Sequence, residues 1–240
     1  MSGLQAAHIA CCHAKQSCLD CKVRAVSVCA ALDSDELRAL EALAQQTAFA
    51  PKEPLFLQDH PVDTVYNLTE GVVRLYKLLP DGRRQIVGFA LPGDFLGLAM
   101  GDQYGVCADA VDLVKACRFW REPFSGLLDE KPHLLRRLHT FMTHELSLAQ
   151  DQMVILGRRT AEEKIASFLI GLRNRWARLN GASVTIHLPM GRQDIADFLG
   201  LTIETVSRTL SRFARDRAIL IVPDGVRLLD QQRMEQLAET

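Results

Sequence analysis

The sequence contains no apolar run of the roughly 20 residues that a membrane-spanning helix needs. Its first 30 residues are interrupted by His, Lys, Asp and Arg and lack the apolar core of a secretory signal peptide. Neither charge sign dominates, since 28 Lys and Arg against 29 Asp and Glu leave a formal net charge of -1. These absences argue against a membrane partner and give no global sign of nucleic acid. They predict a cytoplasmic globular protein, long enough for two domains.

Cysteine is distributed unevenly, because five of the seven lie within the first 29 positions. Structural disulfides are rare in a reducing compartment, so clustered thiols favour metal binding or redox chemistry. Cys18, Cys21 and Cys29 fall within twelve residues, and thiols at i and i+3 can hold adjacent corners of one metal centre. The spacing suits a zinc site, an iron–sulfur cluster or a disulfide switch. The candidate fourth ligands are His8, Cys11, Cys12, His13, Cys107 and Cys117.

Short apolar stretches alternate with Pro, Gly and Asp turn signals over residues 48–124. Evenly spaced short strands of this kind predict an antiparallel β-barrel or β-roll. A helix capped by Asp33 or Ser34, with leucines at helical spacing, is predicted just before it. The first 30 residues then form a separate cysteine-rich arm.

A long segment with few helix breakers, residues 132–157, follows the predicted roll, and Pro132 suits its first turn. Its apolar residues recur at intervals of 3 and 4, the spacing of a coiled-coil seam. We therefore expect a dimerisation helix, although one amphipathic helix packed on its own domain would give a similar pattern. The predicted dimer contacts are Leu135, Leu138, Met142, Leu146, Ala149, Met153 and Leu156.

The last part of the chain reads as helix, strand, helix, helix and hairpin, and residues 191–213 carry its strongest signal. Small Ala196 allows two helices to cross closely, Gly200 ends the first of them, and Thr202 is a good N-cap for the second. This is the pattern of a helix-turn-helix, with the hairpin after it as a wing. A plain helical hairpin is the alternative.

The polar face of the second helix suits the major groove of DNA. Arg208 can donate a bidentate pair to guanine, Glu204 can accept from cytosine, and Ser207 can reach a base edge or a phosphate. Phosphate contacts that set the register are predicted for Thr202, Arg192 and Arg212. From residue 157 onward, 13 basic side chains outnumber 10 acidic ones, which weakly suits a DNA-facing module.

Several motifs resemble the CRP/FNR superfamily of bacterial transcription regulators. Within residues 204–208, Glu204, Ser207 and Arg208 match the FNR-type reading motif, and residues 81–88, 92–97 and 160–166 continue the likeness. The resemblance implies an α+β fold: an arm at 1–30, a β-roll sensor domain within 31–130, a dimerisation helix at 131–157, and a winged helix-turn-helix at 158–240. It also implies a homodimeric activator that binds TTGAT-type inverted repeats and contacts RNA polymerase, in part through the turn at 80–84.

The same resemblance gives the cysteines a role. FNR-type oxygen sensors hold a [4Fe–4S] cluster with three N-terminal cysteines and one from the roll, which implies Cys18, Cys21, Cys29 and Cys117 here. Low oxygen would leave the cluster intact and favour the DNA-binding dimer. Cys11, Cys12 and Cys107 match no ligand position. Some relatives place an acidic residue where this chain has Ala149, so the dimer is expected to depend less on the cluster.

Other functions fit less well. A cyclic-nucleotide sensor of this superfamily needs an Arg for the phosphate, and residues 98–117 contain none. A haem sensor would not need the cysteine arm. A dithiol redox enzyme would place its cysteines at a helix start in a βαβ unit, which the pattern lacks, so no enzyme is expected. A zinc-stabilised or thiol-redox regulator of the same fold stays the main alternative.

Overall fold

The computed structural model describes residues 17–98 and 101–239 of the chain. The candidate ligands His8, Cys11, Cys12 and His13 lie outside the described residues. The described part of the arm forms three short 3₁₀ turns, at Cys18–Asp20, Arg24–Val26 and Val28–Ala31. Within the same ranges, no helix combines the length and apolar content needed to cross a bilayer.

Two antiparallel four-stranded sheets build the predicted β-roll. Their strands are β1 (Gln45–Phe49), β2 (Pro54–Phe56), β3 (Thr64–Glu70), β4 (Val73–Leu78), β5 (Arg84–Ala90), β6 (Phe95–Leu96), β7 (Cys107–Ala110) and β8 (Val114–Trp120). The first sheet has the order β1-β8-β3-β6 and the second has the order β2-β7-β4-β5. The apolar side chains of the two sheets meet between them.

Two helices flank the roll. The predicted one, α1 (Ser34–Leu43), is capped by Asp33, whose side chain accepts from the backbone of Glu36 at 2.9 Å while Glu36 reaches back to Asp33. The other, α2 (Arg121–Glu130), was not anticipated, because its ten residues carry only a short apolar stripe with Phe124 and Leu127 buried. Both helices pack with the arm on the outer face of the first sheet.

The long helix α3 (Pro132–Arg158) begins at the predicted proline and leads into the C-terminal domain. One predicted dimer contact on it is wrong: Leu138 is only 2% exposed in the single chain. The 3₁₀ turn at Val28–Ala31 and the roll's Phe119 cover this part of α3, so Leu138 is a core residue. The heptad pattern could not separate these inward-facing turns from the outward-facing ones beyond them.

The C-terminal domain contains α4 (Ala161–Asn180), α5 (Arg192–Leu199), α6 (Ile203–Arg215) and a three-stranded sheet. The sheet, in the order β10-β11-β9, is formed by β9 (Thr185–His187), β10 (Ile219–Val222) and β11 (Gly225–Leu228). A final helix, α7 (Gln231–Glu239), was missed, although Asp230 caps it by accepting from the backbone of Arg233 at 3.0 Å. The α+β roll, long helix and helix-turn-helix architecture is confirmed.

Candidate nucleic-acid interface and cysteine centre

The turn between α5 and α6 has the geometry of a helix-turn-helix. Gly200 ends α5 in the left-handed region at φ 62°, where glycine carries no steric penalty. Leu201 donates its backbone N–H to Ala196 at 3.0 Å, which closes the turn. Thr202 is extended, and its hydroxyl accepts from the backbone of Thr205 at 3.2 Å. The Thr202 hydroxyl therefore fixes the start of α6.

Helix α6 separates a buried face from an exposed one. Val206, Leu210 and Phe213 are buried in the core of the domain. The residues predicted to read DNA are all exposed on the other face: Glu204, Ser207 and Arg208. An exposed polar helix face of this kind can enter the major groove without loosening the domain that carries it.

The two predicted phosphate-binding arginines differ in their surroundings. Arg192 occupies the first position of α5 and is half-buried, and burial lowers the pKa of its guanidinium below the ordinary value. Arg212 forms an ion pair with Glu162 at the start of α4. Phosphate binding by Arg212 therefore competes with a partner inside the same chain.

The hairpin after α6 stands where a wing is expected. Gly225 begins its second strand in extended backbone, and a Cβ there would come within 2.0 Å of the Ile186 carbonyl oxygen on β9. Only glycine lets β11 and β9 approach this closely. Leu220 and Ile221 are exposed on the first strand of the hairpin.

The arm and the roll bring four cysteines together at the outer face of the first sheet. Cys29 is buried, while Cys18 and Cys117 are half-buried and pack against the same apolar cluster. The pKa of Cys18 is raised to about 11, chiefly by burial and then by the nearby charges of Cys29, Glu41 and Cys21. Cys18, Cys21, Cys29 and Cys117 therefore lie within range of one another's charge, and burial favours the protonated form of Cys18, Cys29 and Cys117.

Cys117 shows this proximity most clearly. Its pKa is raised to about 12, chiefly by burial and then by the charges of Cys18, Cys29 and Cys21. It lies on β8, directly opposite Asn67 of β3. Burial likewise raises the pKa of Cys29. No three ligating side chains within 17–98 and 101–239 already stand in the arrangement of a single-ion site.

Asn67 is a polar residue of this centre that the sequence reasoning missed. Its side chain is buried and its Nδ2 lies 4.0 Å from the Cys29 sulfur, while its Oδ1 has no hydrogen-bond partner among the described residues. A buried amide oxygen without a donor is costly. An Asn inside the otherwise apolar strand of Val65, Tyr66 and Leu68 was the available signal.

Cys107 stands apart from the other thiols. It is buried on β7 in the second sheet, and its sulfur accepts the backbone N–H of Gln58 at 3.3 Å. It lies opposite Tyr76 in the strand register, away from the arm.

Comparison with known proteins identifies the family. Residues 163–237 match the Crp-like helix-turn-helix domain, and residues 46–131 match the cyclic nucleotide-binding domain. The chain is 57% identical to the transcriptional activatory protein AadR of Rhodopseudomonas palustris, over 91% of each chain. It is 39% identical to the transcriptional activator protein FnrL of Cereibacter sphaeroides, over 89% of this chain and 91% of that one. The chain belongs to the CRP/FNR family of transcription regulators.

A solved family structure agrees with this assignment. FixK2 from Bradyrhizobium japonicum has a TM-score of 0.75 and 35% identity, covering 81% of this chain and 96% of that one. The chain is also 52% identical to the nitrogen fixation regulation protein FixK of Bradyrhizobium diazoefficiens, over 92% of this chain and 93% of the relative. As a family member it is a DNA-binding regulator and not an enzyme.

The interior of this family's nucleotide-binding roll is filled by aromatic rings here. Phe56 stacks on Tyr104 with ring centroids 4.2 Å apart, and Phe49 meets Tyr66 edge-on at 5.9 Å. The Tyr104 hydroxyl donates to the Thr64 carbonyl at 2.8 Å, which holds the ring in place. The space between the sheets is therefore occupied by the protein's own side chains.

The family's long helix carries an exposed apolar stripe beyond Leu138. Met153 is 65% exposed and Leu146 58% exposed, although both are large apolar residues. The other predicted contacts that are exposed in the single chain are Leu135, Met142, Ala149 and Leu156. The stripe is continuous over the second half of α3 and has no cover within the described chain.

Proposed function

We propose that this protein is an oxygen-responsive transcriptional activator. It would bind TTGAT-type inverted repeats as a homodimer while a [4Fe–4S] cluster is bound by Cys18, Cys21, Cys29 and Cys117. The observation that carries the proposal is the meeting of three arm cysteines with Cys117 of the roll. A regulator that only bound DNA would not need to bring thiols from two distant segments together.

The residues present fit such a group. A [4Fe–4S] cluster takes four cysteine thiolates, and when bound it supplies a group that oxygen can destroy. The four thiols lie in a half-buried, largely apolar setting, where Phe95, Phe119 and Phe124 stack beneath the arm with centroids 5.2 to 6.3 Å apart. Ligation would also offset the burial that raises the pKa values of Cys18, Cys29 and Cys117.

The arm has two physical connections to the rest of the regulator. Its turn at Val28–Ala31 packs on the first half of α3, the proposed dimer helix. Val26 contacts the turn at Gly93, where a Cβ would come within 2.8 Å of the Val26 side chain. The next residue, Asp94, binds Arg175 of α4 in the DNA-binding domain. Ordering of the arm can thus bias both the dimer and the domain that reads DNA.

The exposed stripe on α3 supplies the dimer contact. Two copies of the stripe would cover Leu146, Met153 and their neighbours across a two-fold axis, and a two-fold axis matches an inverted repeat. Half-sites one helical turn apart, about 34 Å, place both α6 helices in successive major grooves.

The proposal leaves no role for a cyclic nucleotide. The roll interior is filled by its own aromatic rings, and residues 98–117 contain no Arg to meet a phosphate. The tip of the hairpin between β4 and β5, residues 77–83, is exposed and includes Leu78 and Leu79. This tip is our candidate contact for RNA polymerase, and binding to chromosomal DNA would place the protein in the cytoplasm.

The test is metal analysis of protein purified without oxygen. We expect brown protein with about four iron and four acid-labile sulfide per chain, bleached by air. Cys117→Ser should lose most of the iron, whereas the matched control Cys107→Ser, in the opposite sheet, should keep it. Colourless protein, with or without zinc, would contradict the cluster and support the zinc or thiol-redox alternative. Equal iron content in Cys107→Ser and Cys117→Ser would contradict Cys117 as a ligand.

A further inference from the structure

Helix α5 is fixed to the roll by a network of charged side chains. Arg74 of β4 contacts both Asp194 oxygens through Nη1, at 3.0 and 3.1 Å. Arg84 of β5 reaches Asp194 at 2.7 Å and Asp197 at 2.9 Å. These bonds join residues that are 110 to 120 positions apart in the sequence. The roll and the first helix of the helix-turn-helix are therefore held together by direct ion pairs.

This ion-pair network includes a pair that lies entirely within the roll. Arg74 also forms a two-bond fork with Asp109 of β7, at 2.5 and 3.0 Å. The side chains of Arg74, Asp109 and Asp194 are only 10 to 11% exposed. Burial opposes the Arg74 charge, but the two carboxylates outweigh it and raise the pKa of Arg74 above its ordinary value. A guanidinium held on one side by its own domain leaves its other edge aimed at α5.

Three further contacts hold the remaining sides of α5. At its C-terminal end, Gln152 of α3 donates to the Phe198 carbonyl at 3.0 Å. Phe198 also packs edge-on against Phe89 of the roll, with centroids 5.5 Å apart. Gln85 donates to the Asp197 carbonyl at 2.6 Å. Helix α5 thus rests on both the roll and the long helix.

Helix α6 takes its orientation from α5. The buried Ala196 and Leu199 of α5 pack with Val206 of α6 in one core cluster. The ion-pair network involves the acidic side of α5, so the carboxylates of Asp194 and Asp197 are paired within the protein and do not meet DNA. A fixed α5 therefore fixes the direction in which Glu204, Ser207 and Arg208 point.

We propose that Arg74 and Arg84 are positioning residues for DNA recognition. They hold α5, and with it the reading helix α6, at one orientation relative to the roll, and thereby set the half-site spacing that the dimer accepts. This inference rests on the proposed function, since spacing has meaning only for a dimer on an inverted repeat. Neither arginine needs to touch DNA.

The size of the effect follows from how many reading domains must be oriented. When a binding-competent orientation is only fractionally populated, the apparent affinity falls by that fraction. If loss of Arg84 leaves each domain competent about one third of the time, two domains together lose about tenfold. A single half-site, bound by one domain that can turn freely, loses much less.

The experiment measures binding of the full chain, without oxygen, to duplexes whose half-site spacing changes one base pair at a time. A duplex with one half-site is measured in parallel. The variants are Arg84→Ala, the milder Asp197→Asn, and the charge exchange of Arg84→Asp with Asp197→Arg. Arg83→Ala is the matched control, because the Arg83 side chain pairs with Asp81 on the exposed turn beside Arg84. Thermal unfolding verifies that each variant is folded.

We expect Arg84→Ala to bind the best spacing about tenfold more weakly and to show a flatter spacing profile, with a much smaller loss on the half-site. Asp197→Asn should show a smaller shift of the same kind. The exchange should restore only part of the preference, because it places a carboxylate beside Asp194, and Arg83→Ala should match the wild type. A wild-type profile for Arg84→Ala would overturn the assignment. So would an equal loss on the half-site, which would make Arg84 a phosphate contact. If the wild type prefers no inverted repeat, the proposed function itself fails.

Discussion

The amide of Asn67 lies beside the sulfur of Cys29, with 4.0 Å between Nδ2 and Sγ, on the strand next to Cys117. The amide oxygen of the same side chain is buried and finds no donor within residues 17–98 and 101–239. An N–H directed at a cysteine sulfur is one of the levers by which proteins tune iron–sulfur clusters. Asn67 therefore fits a residue that serves the cysteine centre at some cost to the fold.

Asn67→Leu should separate these two effects. In metal-free protein we expect the free energy of unfolding to rise by about 1 kcal/mol, because an unsatisfied buried group is removed. In cluster-loaded protein we expect faster bleaching of the visible absorbance in air, because the sulfur loses its nearby donor. Chemical unfolding measures the free energy of unfolding, and visible absorbance followed over time in air measures the rate of bleaching. Unchanged bleaching together with higher stability would leave Asn67 no role at the centre.

The stability of metal-free protein should fall at alkaline pH. The pKa values of Cys18 and Cys117 are raised to about 11 and about 12 from 9.0, chiefly by burial. A thiol whose folded pKa lies above its unfolded pKa stabilises the fold below the unfolded value, and this stability is lost as pH rises through the folded value. Wild type should therefore lose stability above about pH 9 more steeply than Cys117→Ala. Parallel curves in urea unfolding across this range would contradict the burial of Cys117.

The reading helix should discriminate bases mainly through Arg208. Arg208→Ala should cost about 1–3 kcal/mol on the preferred site and relax preference at one guanine. Arg212→Ala should weaken binding evenly across sequences, and only slightly, because Arg212 is paired with Glu162. Competition binding with single-base variants of the site distinguishes the two. An even loss for Arg208→Ala would make it a phosphate contact.

The exposed stripe on α3 should form the dimer. Met153→Asp would place a charge on each side of the two-fold axis in an apolar contact, and we expect it to shift the protein to monomers. Ser147→Asp is the matched control, since Ser147 is exposed on the opposite side of the same helix. Light scattering after size-exclusion chromatography reports the molecular mass. Dimers in both variants would move the interface away from this stripe.

The sequence predicted the local features that depend on neighbouring residues. Asp33, Thr202 and Gly200 signalled helix ends through their own chemistry, and Pro132 marked the start of α3. The sorting of α6 into an apolar and a polar face followed from its 3.6-residue period. Such signals need no knowledge of the rest of the fold.

Features created by distant contacts were beyond the sequence. Leu138 fits the heptad, but its burial depends on where the arm packs. Arg84 looked like part of an exposed turn, yet it binds Asp194 and Asp197. The roles of Asn67 and Arg74 likewise depend on partners many residues away, and a period of 2 or 3.6 carries no information about those partners.

DNA affinity should depend on the state of the cysteine centre, and a single titration measures that dependence. The same anaerobic sample is titrated against a fluorescent inverted repeat before and after exposure to air, with absorbance recording the state of the centre. We expect bleaching to lower the affinity by a factor within the usual range of coupling between sites, about 5- to 150-fold. Equal affinity before and after complete bleaching would contradict this dependence of DNA affinity on the cysteine centre.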